Sequence, residues 1–226
     1  MHGSASTWIF NAAREMLNAV AGETAVLPCF ADKMAHLPPE AARAGKTLVI
    51  KSHEGSAALD EWLHAQGALL LLSVRDPRDA TLSLMQRFGM GLQPAAHAIM
   101  RDGLRLQHRA AGGAPLWRYE DGFFKRPDTL DEIAARLGLP LPATLRTEIF
   151  TRYGTEAVRE FARHVASLPP ERITMVGPFA MDRVTQILTP HVGDGASGKW
   201  RALPPPLPAQ LSGFFAPLLS PFGYAA

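Results

Sequence analysis

The sequence predicts an α/β fold of three layers, with helices on both sides of a central parallel sheet. Two apolar runs of strand length, Thr47-Leu48-Val49-Ile50 and Ala68-Leu69-Leu70-Leu71-Leu72-Ser73-Val74, carry almost no polar interruption, the pattern of strands covered on both faces. Segments with apolar residues at helical spacing alternate with them, as a parallel sheet requires. With 226 residues and no repeat or clear linker, the chain reads as one domain, 1–226, long enough to bury a substantial core.

The elements follow in order. His2-Gly3-Ser4-Ala5-Ser6 is small and polar, and it runs into Thr7-Trp8-Ile9-Phe10-Asn11-Ala12-Ala13-Arg14-Glu15-Met16-Leu17, apolar at helical spacing. Ser4 or Ser6 is the expected N-cap. The free amides where this helix opens fit an anion cradle or an ordinary capped helix at a chain terminus, and the Gly-Lys-Ser/Thr of a Walker loop is absent. The stretch up to Pro38-Pro39 has no clear pattern. A short helix over 40–44, a strand over 47–51, a helix over 56–66 and a strand over 68–74 come next. Pro77 suits a first helical turn, and that helix continues to Phe88. Further on, the spacing predicts a helix over 94–110, a short strand Leu116-Trp117-Arg118-Tyr119, a helix over 129–137, and helical segments over 156–167 and 180–188. Residues 191–199, with Gly193, Gly195 and Gly198, read as a loop. After Pro204-Pro205-Pro206 and Pro208 comes a short apolar helix over 210–219.

Composition excludes several classes of protein. A formal net charge of +2 is too small to argue for nucleic acid, though it suits a site for a small polyanion. Only five of the 23 basic residues are lysines, so each lysine draws notice. The single cysteine, Cys29, rules out an internal disulfide and fits a reducing compartment. With no apolar run of membrane-spanning length and no signal-peptide pattern, a cytoplasmic protein is expected, with no membrane partner.

The chemistry concentrates at Lys51-Ser52-His53. Period 2 puts Lys51 and His53 on the same side at a strand's carboxyl end, the edge of an open α/β sheet where ligands sit. A cation for a transferring anionic group beside a base for a proton is a minimal kit for group transfer to an alcohol. Arg75 follows the second strand and Ser83 lies two turns into the next helix, so either both reach one phosphate or Arg75 pairs with Asp76 or Asp79 at the surface and Ser83 is an ordinary helix residue. Tyr119, beside Glu120-Asp121, offers a ring to a base or fills core. The stretch His191 to Arg201 offers approachable amides with Lys199 and Arg201 for charge, or is a flexible loop with solvated charges. None of the eight histidines has convincing metal-ligand spacing, so no metal is expected. His2, His36, His64, His97, His108 and His164 read as surface or helix residues.

In this order the motifs resemble the sulfotransferases that use 3′-phosphoadenosine-5′-phosphosulfate (PAPS), in their bacterial cytosolic form, over residues 2–201. Ser4-Ala5-Ser6-Thr7-Trp8 is similar to that family's 5′-phosphosulfate loop, and Lys51-Ser52-His53 to its Lys-Thr-His or Lys-Ser-His strand end. Val74-Arg75-Asp76-Pro77-Arg78-Asp79 through Ser83-Leu84 is similar to its 3′-phosphate motif, Tyr119-Glu120-Asp121 to its adenine-side turn, and Gly195-Ala196-Ser197-Gly198-Lys199-Trp200 to its late nucleotide-covering loop. The resemblance implies a P-loop-like fold lacking its usual first strand. It also implies direct sulfuryl transfer to a small-molecule or saccharide hydroxyl, with 3′-phosphoadenosine-5′-phosphate (PAP) as product. His53 would be the base and Lys51 the cation at the sulfonate. The amides of Ala5, Ser6 and Thr7 would hold the 5′-phosphate, and Arg75, Ser83 and the late loop the 3′-phosphate.

Three departures stand out. Gly3 occupies a position that is basic in the family, and His2 is its only nearby substitute. The strand that delivers the family's chain to this loop is missing, which either places the true start upstream or leaves neighbouring strand edges bare. Asp194 falls within the late loop and is expected to face outward, leaving charge to Lys199 or Arg201. A catalytically impaired nucleotide- or partner-binding domain and a P-loop-like kinase are the alternatives. Phe30, Met34, Phe88, Met90 and Phe150 could line an acceptor pocket or fill core. Phe214, Phe215 and Phe222 could pack on the domain or on a second subunit as a homodimer.

Overall fold

The computed structural model describes residues 1–189 and 192–225. It is mixed α/β, and its parallel strands form two separate pairs. Helix α1 (Ser6–Ala21) starts directly from the N-terminal loop and buries Thr7, Trp8, Ile9 and Phe10 in its first turn. Strand β1 (Val26–Phe30) follows, in a stretch without a clear sequence pattern. Pro28 sits inside it, which an edge strand tolerates because one side of its backbone has no ladder partner. After the one-turn helix α2 (Glu40–Arg43), strand β2 (Thr47–Lys51) pairs parallel with β1, and Phe30 aligns with Lys51.

Helix α3 (Ala57–Ala65) is capped by Ser56, whose hydroxyl accepts from Leu59 N at 3.2 Å. Strand β3 (Leu72–Val74) pairs parallel with β4 (Leu116–Arg118), on either side of helices α4 (Pro77–Phe88) and α5 (Leu92–Ala110). The expected strand over 68–74 is therefore shorter: among the described residues, 68–71 pair with no strand. One continuous central sheet was expected. Among the described residues there are instead two two-stranded parallel pairs, with a gap between β2 and β3.

Helices α6 (Asp128–Leu137), α7 (Ala143–Arg152) and α8 (Thr155–His164) complete the middle of the chain. The expected helix over 180–188 is not formed. Strand β5 (Ile173–Val176) pairs antiparallel with β6 (Phe179–Asp182) across a two-residue Gly177-Pro178 turn. Burial alternates along β6, and Asp182 ends it. Its buried carboxylate accepts from Arg172 Nη2 at 2.7 Å, Thr185 Oγ1 at 2.6 Å and Thr185 N at 3.1 Å, which holds 182–185 in a turn instead of a helix.

The last helix, α9 (Leu207–Leu219), lies on α4 and α5. Phe215 and Phe222 are buried there with Leu72, Val74, Leu84 and Ile99, so the apolar tail packs on this domain. Gly103 permits the close approach: a Cβ there would collide with Leu218 Cδ1. A second core joins α1, α6 and α7 through Trp8, Met16, Phe123, Leu130 and Ile149. No helix among the described residues is long and apolar enough to cross a membrane.

Candidate functional site

The N-terminal loop differs from an ordinary capped helix start. Ala5 occupies the N-cap position in the left-handed region (φ 60°), and Gly3 shares that handedness at φ 69°. Ser4 is wholly buried. Its hydroxyl donates to Met1 O at 2.6 Å and lies 2.8 Å from Ser73 Oγ, which ties the loop to the end of β3. Neither Ser4 nor Ser6 makes a side-chain cap, contrary to expectation. No side chain caps this first turn, the Trp8 amide bonds Ala5 O at 3.0 Å, and the positive end of the helix dipole favours an anion at the turn.

Lys51 and His53 border the same cavity, but strand period 2 does not set His53: β2 ends at Lys51, and His53 stands in the bend after it. Both are more than 90% buried. Lys51 Nζ donates to Thr7 Oγ1 at 2.6 Å, joining the end of β2 to the start of α1. Burial pushes the Lys51 ammonium down to about 7, with Arg87 adding to the effect and Asp32 opposing it. Burial also holds His53 well below its ordinary value, reinforced by His2, Lys51, the N-terminal amine and Arg87. A neutral imidazole is the form that can accept a proton. His53 Nδ1 is buried without a hydrogen-bond partner.

Two carboxylates that the sequence did not single out set this geometry. Asp32 Oδ1 accepts from Ser52 Oγ (2.8 Å), His53 N (2.8 Å) and Gly55 N (3.2 Å), fixing the turn that carries His53. Asp102, fully buried on α5, accepts from His2 N at 2.8 Å and meets His2 Nδ1 at 2.5 Å. His2, expected on the surface, is instead half-buried and stacked on His53, ring centroids 3.9 Å apart. Ligand atoms of His2, His53 and Asp102 lie within 4.8 Å of one another. Because the rings are stacked 26° from parallel, their lone pairs lie in nearly parallel planes and do not converge as an ion would require.

Arg75 leaves β3 beneath the N-terminal loop. Its Nη1 donates to Gly3 O at 3.2 Å, its Nη2 to Ala196 O at 2.6 Å, and its guanidinium lies 4.2 Å from the Tyr119 ring centroid. Arg75 Nε is buried without a partner. Ser83 faces the same place, since a Cβ built on Gly3 would lie 3.4 Å from Ser83 Oγ and 3.8 Å from Arg75 Nη1. Arg87, one turn beyond Ser83 on α4, lines the cavity too. The i, i+4 spacing from Ser83 was a signal that could have found it. Tyr119 donates to Gly195 O at 3.2 Å, and its ring lies 4.8 Å from that of Phe124.

The Arg75-to-Asp79 motif also anchors the late loop. Asp76 caps α4 by accepting from Arg78 N at 3.0 Å, and it pairs with the Arg78 side chain at 2.9 Å. The buried Arg78 guanidinium lies 3.7 Å from the Trp200 ring centroid. Asp79 accepts from the backbone amides of Gly198 and Trp200. Asp194, exposed but lining the cavity, pairs with Lys199 at 3.0 Å, where an outward-facing carboxylate was expected. Part of the Lys199 charge is thereby neutralised. His191 lies outside the described residues.

These pieces line one cavity of about 440 Å³. Of the residues singled out in the sequence, Ala5, Ser6, Thr7, Trp8, Lys51, His53, Arg75, Ser83, Tyr119, Gly195 and Lys199 border it. Three do not. Ser4 lies behind the loop, Gly198 turns the backbone into the last short helix under Asp79, and Arg201 stands exposed 4.7 Å from the Trp200 ring centroid. Arg87, Lys125 and Arg159 add positive charge, against Glu156 and Asp194. Of the aromatic and methionine residues considered for an acceptor pocket, Phe30 alone is beside His53, its ring 5.8 Å away. Phe88 and Met90 pack on the α4–α5 core, Phe150 packs on the α1–α6 core, and Met34 is exposed. Fold and site define a mixed α/β protein with a cation-lined cavity at the carboxyl ends of its parallel strands. No protein-family model matches the chain, and no curated protein matches it either.

Proposed function

We propose that the protein is a PAPS-dependent sulfotransferase of P-loop-like fold, acting on the hydroxyl of a small molecule or saccharide. One observation carries the reading. Residues from Ala5 to Lys199 that match separate parts of a sulfuryl-transfer site border a single cavity, and its charge favours a polyanion. The donor set also fits such a ligand, because Trp8 Nε1, Arg75 Nε and His53 Nδ1 are buried without partners around it.

PAPS supplies the sulfuryl group: the acceptor oxygen bonds to sulfur as the bond to the 5′-phosphate breaks, and PAP leaves with that electron pair. His53 takes the acceptor proton, a role worth about 10²–10⁴-fold. Lys51 stands over the first turn of α1 through Thr7, where the amides of Ser6 and Thr7 receive the 5′-phosphate. Arg75 and Ser83, with Arg87 beside them, receive the 3′-phosphate. Phe30 offers an apolar side to the acceptor next to His53. Sulfuryl transfer leaves the protein chiefly positioning and charge stabilisation to perform.

PAP raises the melting temperature, by an amount that grows with the logarithm of its concentration above the Kd, and ATP with magnesium does not. Absence of a shift with PAP overturns the reading. Transfer of labelled sulfate from PAPS to a panel of hydroxyl acceptors then separates turnover from binding. A second reading, a nucleotide-binding domain without turnover, is favoured by Gly3 in a basic position and by the Asp194–Lys199 pair. It predicts the PAP shift without sulfate transfer.

A further inference from the structure

The middle residue of Lys51-Ser52-His53 has no part in the proposed transfer, and its surroundings show what it does. β1 and β2 run side by side to Phe30 and Lys51, and Ala31 N then donates to Lys51 O at 3.0 Å. Asp32 lies two residues past the end of β1, and Ser52 lies one past the end of β2. Ser52 Oγ donates to Asp32 Oδ1 at 2.8 Å. The same oxygen accepts from His53 N at 2.8 Å and from Gly55 N at 3.2 Å. One carboxylate oxygen therefore grips the bend after β2 at three points. The other side of the bend is closed by Arg109 of α5, which donates to Asp60 of α3 at 2.7 and 3.0 Å and lies 3.5 Å from Ser52 Oγ. Asp60 also pairs with Arg105 at 3.1 Å. Gly55 stands against this guanidinium at φ 64°, where a Cβ would collide with Arg109 Nη2.

This clamp matters because the imidazole has little else to hold it. His53 Nδ1 is buried without a hydrogen-bond partner, so no side chain orients the ring through that nitrogen. The ring rests between His2, stacked at 3.9 Å, and Phe30 at 5.8 Å, while the bend decides where its backbone stands. A general base works only within hydrogen-bond reach of the proton it takes. A misplacement of about 1 Å costs on the order of 10²-fold in rate.

We propose that Asp32 and Ser52 are positioning residues for His53, the carboxylate anchoring the His53 amide and the Ser52 hydroxyl pinning the bend to it, so that the imidazole meets the acceptor hydroxyl. The inference rests on His53 being the base of the proposed transfer. Neither residue borders the cavity that His53 lines, so both act through the backbone and touch no substrate. The negative charge of Asp32 also favours the Lys51 ammonium, and the test separates that effect from geometry.

Four variants of the full chain make the test. Asp32→Asn keeps an acceptor oxygen and drops the charge, whereas Asp32→Ala drops both. Ser52→Thr keeps the hydroxyl that Ser52→Ala removes. In sulfate transfer from PAPS, Asp32→Ala lowers kcat about 10- to 100-fold with KM for PAPS unchanged. Ser52→Ala lowers it about threefold to tenfold, as the loss of one hydrogen bond predicts. Asp32→Asn and Ser52→Thr regain most of the parent rate. An Asp32→Asn protein as slow as Asp32→Ala overturns the proposal in favour of charge, and a loss confined to KM overturns it too. Should Asp32→Ala fail to fold, the Ser52 pair decides, and a Ser52→Ala rate equal to the parent's overturns the proposal. Two further readouts need no substrate: hydrogen exchange at the His53 and Gly55 amides, and the nuclear Overhauser contact between the His53 and Phe30 rings. In the alanine variants exchange quickens and the ring contact weakens, and both return in Asp32→Asn and Ser52→Thr. A ring contact that survives in the alanine variants overturns the proposal. Absence of sulfate transfer in the parent overturns the proposed activity instead and leaves these two readouts standing, so the two failures are distinguishable.

Discussion

His2 and His53 stack with ring centroids 3.9 Å apart, and the same His2 holds the buried Asp102 at 2.5 Å. A histidine beside the chain's first residue thus controls the surroundings of the proposed base. Burial is the main force lowering the His53 pKa, and the charge of His2 is the largest of those that add to it. His2→Gln keeps a donor for Asp102 and removes that charge, so His53 becomes more basic. The acidic limb of the pH–rate profile for sulfate transfer is expected to move to higher pH. His53→Ala lowers the rate about 10²–10⁴-fold with little change in PAP affinity, read by titration calorimetry.

Lys51 sets stability against function. Its folded pKa of about 7 lies below the ordinary 10.5, so the folded state holds fewer protons than the unfolded one between those values. The cost of burying the charge is complete below about pH 7, shrinks as pH rises, and is gone above 10.5. Lys51→Met is therefore expected to stabilise the protein by about 1–3 kcal/mol at pH 6–7, by analogy with other buried charges replaced by apolar groups. The gain fades toward pH 10 in denaturant titrations, and PAP binding is lost. In the parent, a bound polyanion restores the Lys51 proton, so PAP affinity falls as pH rises above 7.

Asp194 restrains the late loop's cation. Asp194→Asn releases Lys199 from a pair that is 3.0 Å long and largely solvent-exposed, and removes a negative charge from the cavity edge. PAP affinity rises by up to about fivefold, in keeping with the modest strength of exposed pairs. The gain disappears at high salt.

Ala5 carries backbone strain at φ 60°. The left-handed region costs a non-glycine residue about 1–2 kcal/mol, while a glycine loses part of that gain to unfolded-chain entropy. Ala5→Gly is expected to raise stability by about 0.5–1 kcal/mol in thermal melts. Gly3→Lys works in the opposite direction. It would restore a basic residue, but at φ 69° and against Ser83 Oγ, so stability falls by about 1–2 kcal/mol.

Features written in consecutive residues were legible. Lys51 closes a strand with His53 two residues beyond it, and Arg75 precedes a helix whose Pro77 and Asp76 mark its start. The hairpin over 173–182 was not legible, because a short apolar segment fits helix and strand alike until Asp182 finds Arg172 and Thr185. Strand β1 escaped for a similar reason: Pro28 weakens its signal, and only the pairing with β2 makes it a strand. Asp32 and Asp102 carry no local pattern at all, since their partners lie 21 and 100 residues away in sequence.

The sequence by itself determined the alternation of strand and helix, the lysine and histidine beside one strand end, and the order of the candidate anion-binding segments. Those are local properties of spacing and residue type. The tertiary structure decided which of them meet: Arg87 and His2 come into the site, Ser4, Gly198 and Arg201 fall outside it, and Asp194 is tied to Lys199. It also decided that, among the described residues, the two parallel strand pairs stand apart. A strand is defined by the backbone bonded to its edge, and that neighbour is a matter of three-dimensional placement.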